Sequence, residues 1–324
     1  MANLTLLDLI SIQKCDPLTG LVEDQVIYAP EVSTIPVVTR PGITYYISKR
    51  TALPTSGFRQ INAGIASSKS SFKKEVKEMF PIDCQITVDE LIVKGDDKSI
   101  GDVLSHEAQG ALQSTLITVG SQTYYGAAND GSSGFVGLRA QMYGTSSAGG
   151  TTNSTTAYLL WLNPHGVSYD IGKEGSIAMP PFQRQQITAP TGTGTIFAWV
   201  SNISFYIGLS VKSNYSVWGV TGIDTTTVPT TGSFLNGQST IYTHPMSDRN
   251  AASLVSQVPL VRRNGSAWFM NRTAHFLLQQ SRAAINFQAA SAANATPAWS
   301  SRPELCEGFP IIVTDSITNT EDNS

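Results

Sequence analysis

One long stretch, from Lys98 to Leu138, limits the choice of fold more than any other part of the sequence. It begins with a helix signal, because Ser99 suits a helix N-cap and Asp102 follows three residues later, as in a capping box. Apolar residues then recur at spacings of three and four, the period of one helix face. Gly120 is placed to end this element. The sequence therefore predicts a long helix over residues 98–120 with one apolar stripe, formed by Ile100, Val103, Leu104, Ala108, Leu112, Leu116 and Val119.

A glycine-punctuated aromatic segment follows the predicted helix. Tyr124, Tyr125 and Gly126 precede a polar turn, and Phe135-Val136-Gly137-Leu138 comes after it. This arrangement does not match a known active-site motif. It predicts a structural loop that docks beside the helix.

The composition excludes several classes of protein. Charged residues make up only 14% of the chain, hydrophobic residues 41%, and the net charge is −3. A weak net charge gives no reason to expect binding to nucleic acid or to an anionic membrane, and no apolar run is long enough to cross a bilayer. Cys15, Cys84 and Cys306 are odd in number and far apart, which favours reduced thiols over a disulfide framework. A secretory signal is not expected, since residues 1–12 lack a basic leader.

The first third of the chain predicts an arm and a β-hairpin. Residues 1–34 have no firm period and are either a loose terminus or an arm that gains order on another surface. Residues 35–66 predict a long hairpin, because apolar residues alternate from Ile43 to Ile47 and Phe58–Ile65 can return antiparallel. Its exposed tip would be Leu53–Gly57. A two-stranded ribbon is marginally stable alone, so it is expected to pack against another chain.

Residues 67–97 are the most charged part of the sequence, with lysines and glutamates interleaved from Lys69 to Glu78. A nucleic-acid patch is one interpretation. A solvated helix face with ion pairs at spacings of three and four is the other, and the interleaved acids favour it. Phe80–Val93 alternates again and predicts a strand before the long helix.

The second half of the chain has a different texture. Small residues over 139–153 predict a linker at a domain boundary. Strands are then predicted at Ala157–Leu162, Val167–Ile171 and Thr195–Val211, and helices at Ser247–Val258 and from Asn271 to Ile285. A buried-type strand near the C-terminus follows Gly308.

No catalytic or metal-binding motif is present in the sequence, which predicts a protein that is not an enzyme and needs no cofactor. His106-Glu107 lacks the second histidine of a zinc motif, so it is interpreted as a surface or interface pair. Arg249, Arg262, Arg263 and Arg272 form a mild basic cluster. It would either face nucleic acid or form salt bridges with neighbouring chains, and the second interpretation is favoured.

The order of these parts resembles the major capsid proteins of tailed bacteriophages, which have the Hong Kong phage-type capsid fold. The resemblance is carried, in order, by Tyr125-Gly126, Phe135-x-Gly137-Leu138, Tyr158-Leu159-Leu160-Trp161, Met246 to Arg249, Trp268 to Arg272, and Gly308 to Ile317.

The resemblance implies an α+β subunit with an N-terminal arm (1–34), an extended β-hairpin loop (35–66), a peripheral domain (67–153) whose spine helix is 98–120, and an axial domain (154–300). Residues 301–324 would return a strand to the peripheral domain and end in a tail. Inter-subunit contacts are expected at the extended-loop tip, at Lys49, Arg50, Leu53, Pro54 and Phe58. Some relatives cross-link through a lysine of this loop, but no motif fixes an acceptor here, and that chemistry is not carried over.

The function implied is that of a shell subunit. Hexamers and pentamers of one chain would form an icosahedral virion shell around double-stranded DNA, without sequence-specific binding and without a membrane. Further expected partners are a portal protein and scaffolding or cement proteins, with assembly in the host cytoplasm. Two alternatives remain open from the sequence: a nanocompartment (encapsulin-like) shell protein, and a β-rich virion tail or adhesin protein.

Overall fold

The structure is a computed structural model that describes residues 29–94, 100–126, 134–150, 153–172, 179–189, 194–225, 228–229, 240–241, 244–289 and 302–321. Most of the predicted N-terminal arm and the predicted cap Ser99 lie outside these ranges. Within them the helices are α1 (Glu31–Thr34), α2 (Glu90–Lys94), α3 (Ile100–Tyr125), α4 (Asp248–Gln257), α5 (Leu260–Arg263) and α6 (Arg272–Ala289). Short 3-10 turns lie at Arg139–Gln141 and Asn214–Ser216.

The strands of the described residues fall into two large sheets and two ribbons, which together with the helices confirm the predicted α+β class. In chain order they are β1 (Val37–Thr39), β2 (Thr44–Ala52), β3 (Ser71–Glu78), β4 (Phe80–Asp89), β5 (Gly144–Ser147), β6 (Ser154–Trp161), β7 (Val167–Ile171), β8 (Gln183–Thr188), β9 (Thr195–Val211), β10 (Val217–Asp224), β11 (Val228–Pro229), β12 (Thr240–Ile241), β13 (Ser266–Met270), β14 (Leu305–Cys306) and β15 (Phe309–Val313).

The five-stranded sheet is organised on β9. This 17-residue strand is rich in β-branched and aromatic residues, which suit a pleated, half-buried surface. One of its edges pairs with β4 over ten residue pairs, and its other edge pairs with β8 and then β7. Strand β1 completes the sheet in parallel with β7. The prediction of a strand over Thr195–Val211 is therefore confirmed at both ends.

Helix α3 packs on this sheet through part of the predicted stripe. Val103, Leu104 and Val119 are buried, and Leu104 lies in one apolar cluster with Ile86 of β4. Leu112 is 39% exposed, whereas Ala108 and Ala111 pack against the same cluster as Leu104. The helix therefore packs on the sheet through its middle turns as well as near its ends, and Leu112 lies on the side that is open to solvent.

The predicted end of the helix at Gly120 is wrong, because α3 continues to Tyr125. Gly120 instead permits a close approach of other chain segments. A Cβ atom there would lie 2.4 Å from both Glu31 Oε1 and Ser316 Oγ. The glycine at position 120 is therefore required for packing and does not end the helix. Tertiary contacts override the weak helix propensity of glycine at this position.

The predicted glycine-aromatic segment forms the last turn of the helix and a strap (residues 134–138) that packs against that turn. Tyr124 is fully buried in the last helical turn. The Gly137 N–H donates to the Gly126 carbonyl at 2.7 Å, and the Leu138 N–H donates to the Thr123 carbonyl at 2.7 Å. A Cβ atom on Gly137 would lie 2.7 Å from backbone atoms of Tyr124 and Gly126. The two glycines are therefore required because two backbone segments touch at this point.

The six-stranded sheet has the order β14-β15-β13-β6-β10-β5 and carries α4 and α6. Ser247 caps α4 by accepting from the Asn250 N–H, and Asn271 Oδ1 accepts from the Ala274 N–H at 2.8 Å at the start of α6. Both helix predictions are confirmed. The predicted linker over 139–153 is not a plain linker, because its residues Gly144–Ser147 form the edge strand β5, parallel to β10.

The block predicted to be one axial domain contributes strands to both sheets. Strands β6, β10 and β13 lie in the six-stranded sheet, whereas β7 and β9 pair with β4. The terminal strand β15 pairs in parallel with β13, not with a strand of the 67–97 segment. A shared core joins the sheets and α3 through fully or nearly fully buried side chains, including Tyr124, Tyr158, Tyr169, Ile207 and Phe269.

Candidate assembly interface

Strands β2 and β3 form a long antiparallel ribbon, which we call the hairpin (residues 44–78). Its register runs from Thr44 opposite Glu78 to Ala52 opposite Ser71, with one irregularity between Arg50 and Ala52. The predicted return strand at Phe58–Ile65 is wrong, since those residues belong to the connection between the strands. The connection, residues 53–70, contains the predicted tip Leu53–Gly57 but is much longer.

The predicted solvated helix over the charged segment is also wrong, because Ser71–Glu78 is strand β3. Its sequence SFKKEVKE places lysines and glutamates at both helical and alternating spacings. Pairing with β2 satisfies the backbone hydrogen bonds of both strands. The periodicity of a short stretch of sequence cannot predict this pairing, because β2 is distant along the chain. The following strand prediction holds for Phe80–Asp89, after which the chain turns into the short helix α2.

Asp170 of β7 anchors the base of the hairpin. Its side chain is completely buried and accepts from Arg40 Nε at 2.9 Å and from the Tyr45 hydroxyl. The Arg40 guanidinium also lies 4.7 Å from the centre of the Tyr45 ring. Burial, and then the hydrogen bond to Asp170, raise the pKa of Tyr45. The base of β2 is therefore held by a charged hydrogen-bond network rather than by apolar packing alone.

The charged side chains on the inner face of the hairpin have ion-pair and hydrogen-bond partners within the same chain. Lys49 pairs with Glu75 at 2.8 Å and donates to Asn214 at 3.2 Å, and this pairing holds the pKa of Glu75 below its usual value. Lys77 donates to Gln141 at 3.3 Å, and burial lowers the pKa of Lys77. Of the predicted contact residues, Lys49 thus lies on the side that faces the body of its own subunit.

The outer face of the hairpin carries exposed rings and cations. Tyr46 is 62% exposed, Phe72 60% and Val76 54%. Lys74 lies 3.7 Å from the centre of the Tyr46 ring, and Arg50 lies 5.3 Å from that of Phe72. These residues alternate along β2 and β3, so they share one side of the ribbon. The period of two over residues 72–76 is the signal that would have revealed this face.

The connection between the strands exposes large apolar side chains. Residues 53–69 are all exposed, and Phe58 and Ile61 are almost fully so. The backbone makes a turn in which the Ala63 N–H donates to the Gln60 carbonyl, and Arg59 donates to the Ala63 carbonyl at 2.8 Å. Several large apolar side chains exposed on one connection make it a candidate interaction site. Leu53, Pro54 and Phe58 of the predicted contact set lie here, and Arg50 lies on the adjoining strand.

The other groups considered from the sequence do not form a chemical site. Three of the four arginines make separate contacts: Arg262 lies over the Trp161 ring at 4.0 Å, Arg263 donates to the Val255 carbonyl at 2.8 Å, and Arg272 pairs with Asp315 at 2.6 Å. Arg249 is exposed. His106 and Glu107 lie half-buried on α3. Across the described ranges, no cluster of His, Cys, Asp and Glu has the makings of a metal site.

The cysteines that the structure describes are not joined in a disulfide. Cys84 and Cys306 are free thiols, and Cys15 lies outside the described residues. Burial raises the pKa of the Cys306 thiol to about 12, with the nearby Asp248 carboxylate contributing. None of the helices that the structure describes is long and apolar enough to cross a membrane.

The comparisons with known proteins identify the family. The family described as major capsid protein GP7 matches residues 42–324, which is most of the chain. The chain belongs to the major capsid protein GP7 family. It is thus a tailed-bacteriophage major capsid protein, as its resemblance implied, and this membership favours neither a nanocompartment shell nor a tail or adhesin protein. No curated protein matches the chain in the sequence comparison.

Solved structures show the fold of this capsid protein. The near-atomic structure of bacteriophage Epsilon15 is 17% identical, covers 99% of this chain and 97% of its own, and has a TM-score of 0.68. The fold is therefore the Hong Kong phage-type capsid fold. Weaker similarities are to Mycobacterium phage Adephagia (10% identity, 68% and 98% coverage, TM-score 0.47) and the capsid of Myoviridae phage XM1 (10%, 63% and 95%, 0.46).

Proposed function

We propose that this capsid protein self-assembles as hexamers and pentamers into an icosahedral shell that encloses the double-stranded DNA of a tailed bacteriophage. The observation that carries the proposal is the hairpin, whose connection is exposed over residues 53–69 and presents Leu53, Phe58, Ile61 and Ile65 to solvent in the isolated subunit. A subunit that stayed monomeric would leave this surface in water at a cost of about 25 cal/mol for each Å² of apolar area.

The tip of the hairpin is the contact between subunits in this proposal. Leu53, Pro54 and Phe58 would pack on a neighbouring copy, and Arg50 would flank them. Lys49 would act differently, since its ion pair with Glu75 stiffens the ribbon that presents the tip. Long extensions of this kind bury area on several neighbours, so each contact can be modest while the closed assembly is stable.

The two large sheets suggest how the subunit is divided in the shell. The peripheral part would comprise α3, the hairpin and the five-stranded sheet, and the axial part would comprise the six-stranded sheet with α4 and α6. Residues 1–34 would form the arm. The remaining partners would be a portal protein and scaffolding or cement proteins, with assembly in the host cytoplasm. The protein would act structurally, without catalysis or sequence-specific DNA contacts.

A shortened hairpin tests this function. Ala52 and Ser71 are opposite each other in the register, so residues 53–70 can be replaced by Asn-Gly, which favours a two-residue hairpin turn. We expect the shortened subunit to fold with an unchanged circular dichroism spectrum but to form no closed shells by electron microscopy.

A second variant, Leu53→Ser/Phe58→Ser, keeps the full-length hairpin and changes only two of the predicted contact side chains. We expect this variant to fold and to assemble poorly. Normal shells from both the shortened and the doubly substituted protein would show that the tip is not the contact between subunits.

A further inference from the structure

The hairpin carries an excess of positive charge that the rest of the chain does not. Residues 44–78 contain seven of the 21 lysines and arginines but only two of the 24 aspartates and glutamates. The hairpin therefore has a net charge of +5, although the whole chain has −3, and the remainder of the chain has −8. The cations are Lys49, Arg50, Arg59, Lys69, Lys73, Lys74 and Lys77, and the acids are Glu75 and Glu78.

Most of these cations are not neutralised within the subunit. Lys49 holds Glu75 at 2.8 Å, whereas Lys73 reaches the same carboxylate only at 3.9 Å. Within the part of the chain that the structure describes, no ion pair involves Arg50, Arg59, Lys69 or Lys74. Arg50 and Lys74 lie on the outer face and Arg59 and Lys69 lie in the connection, and all four residues are exposed.

The same surface is also apolar. Tyr46 and Phe72 alternate with Arg50 and Lys74 on the outer face, and Phe58 lies in the connection beside Arg59. A phosphate backbone would satisfy the cations but would leave the aliphatic and aromatic side chains of the connection in water. A protein surface with carboxylates and apolar side chains would satisfy both groups. The remainder of this chain, at −8, has the complementary charge.

We propose that the hairpin docks electrostatically on an acidic surface of a second copy of this chain, and that its exposed cations set the rate of assembly. This inference rests on the proposed function and names the chemistry of the partner surface. Oppositely charged surfaces attract before contact and raise association rates by about tenfold or more, and salt screens that attraction. The apolar tip would then supply the short-range stability.

The experiment measures the assembly rate by light scattering at about 50 mM and about 500 mM NaCl, where the screening length falls severalfold. The test variant is Lys69→Gln/Lys73→Gln/Lys74→Gln. The charge-preserving control is Lys69→Arg/Lys73→Arg/Lys74→Arg. A second control, Arg249→Gln, removes an exposed positive charge outside the hairpin.

We expect wild-type assembly to slow by about tenfold at the higher salt concentration. The glutamine variant should assemble slowly at low salt and respond little to added salt, and both controls should behave like the wild type. Added double-stranded DNA should not be required for the salt response.

Three results would overturn the inference. These are a wild-type rate that is the same at both salt concentrations, a glutamine variant with the full wild-type salt response, or assembly that starts only when DNA is added. Each of them leaves shells forming, so the proposed function would survive. A wild-type protein that forms no shells at either salt concentration would contradict the proposed function, and this inference with it.

Discussion

Gly137→Ala should destabilise the subunit, because two backbone segments touch at this glycine. The added Cβ atom would lie 2.7 Å from backbone atoms of Tyr124 and Gly126, where contacts below 3.4 Å are already unusually tight. Relief of the overlap requires the strap and the end of α3 to separate by about 0.7 Å, the difference between these two distances. The obstacle is backbone, so no side-chain rotation can avoid it.

The cost follows from the hydrogen bonds that cross the same contact. A shift of that size would lengthen the Gly137-to-Gly126 bond from 2.7 Å towards the limit of hydrogen-bond geometry, and would strain the Leu138-to-Thr123 bond, also 2.7 Å. Each weakened buried bond costs about 1–3 kcal/mol. Leu138 is fully buried and would move as well. We expect a loss of about 3 kcal/mol in the free energy of unfolding.

The assay is urea denaturation of the unassembled subunit, with Gly110→Ala as the matched control. Gly110 lies in the same helix, and a Cβ atom there would meet nothing within 4 Å. Alanine at that position should stabilise the subunit by up to about 1 kcal/mol through helix propensity. If Gly137→Ala and Gly110→Ala changed stability equally, the proposed contact between strap and helix would be refuted.

Two further substitutions test the buried acids. The Glu31 carboxylate accepts hydrogen bonds from Thr314 and Ser316. Burial raises the pKa of Glu31, and the nearby Asp315 carboxylate raises it further. The folded state therefore holds the Glu31 proton more tightly than the unfolded state does. The free energy of unfolding of the wild type should therefore fall as the pH rises above 4.5, by up to ~1.4 kcal/mol per pH unit. Glu31→Gln should remove this part of the pH dependence, as measured by urea denaturation at several pH values. The same dependence of stability on pH in the variant would contradict the assignment to Glu31. Asp170→Asn should cost about 2 kcal/mol and speed amide exchange in β2, because it removes the charge that holds the base of the hairpin; unchanged exchange there would show that apolar contacts suffice.

The parts of the fold that sequence analysis predicted correctly have local signals. The run of β-branched and aromatic residues over Thr195–Val211 leaves little alternative to a strand, and Ser247 and Asn271 mark helix starts through their own side-chain bonds. The glycine motif at Gly137 was recognised as part of a pattern. The reason for this glycine lies in the contact between the strap and the end of α3, which joins segments that are separate in the sequence.

The errors have non-local causes. Strand β3 carries lysines and glutamates at spacings that also fit a helix, which hides the period of two set by Phe72 and Val76, and its partner β2 lies across an 18-residue connection. Gly120 resembles a helix end in the sequence, since the segments that require a glycine there, at Glu31 and Ser316, are distant from it along the chain. The assignment of β7 and β9 to the sheet of β4 likewise depends on pairing that no local window contains.

The most direct test of the central claim is cryo-electron microscopy of shells assembled from the purified protein. The account predicts closed shells in which density for the connection at residues 53–70 lies on an adjacent subunit, with Leu53 and Phe58 buried in that contact. Shells in which each connection folds back onto its own subunit, with these side chains exposed to solvent, would contradict it.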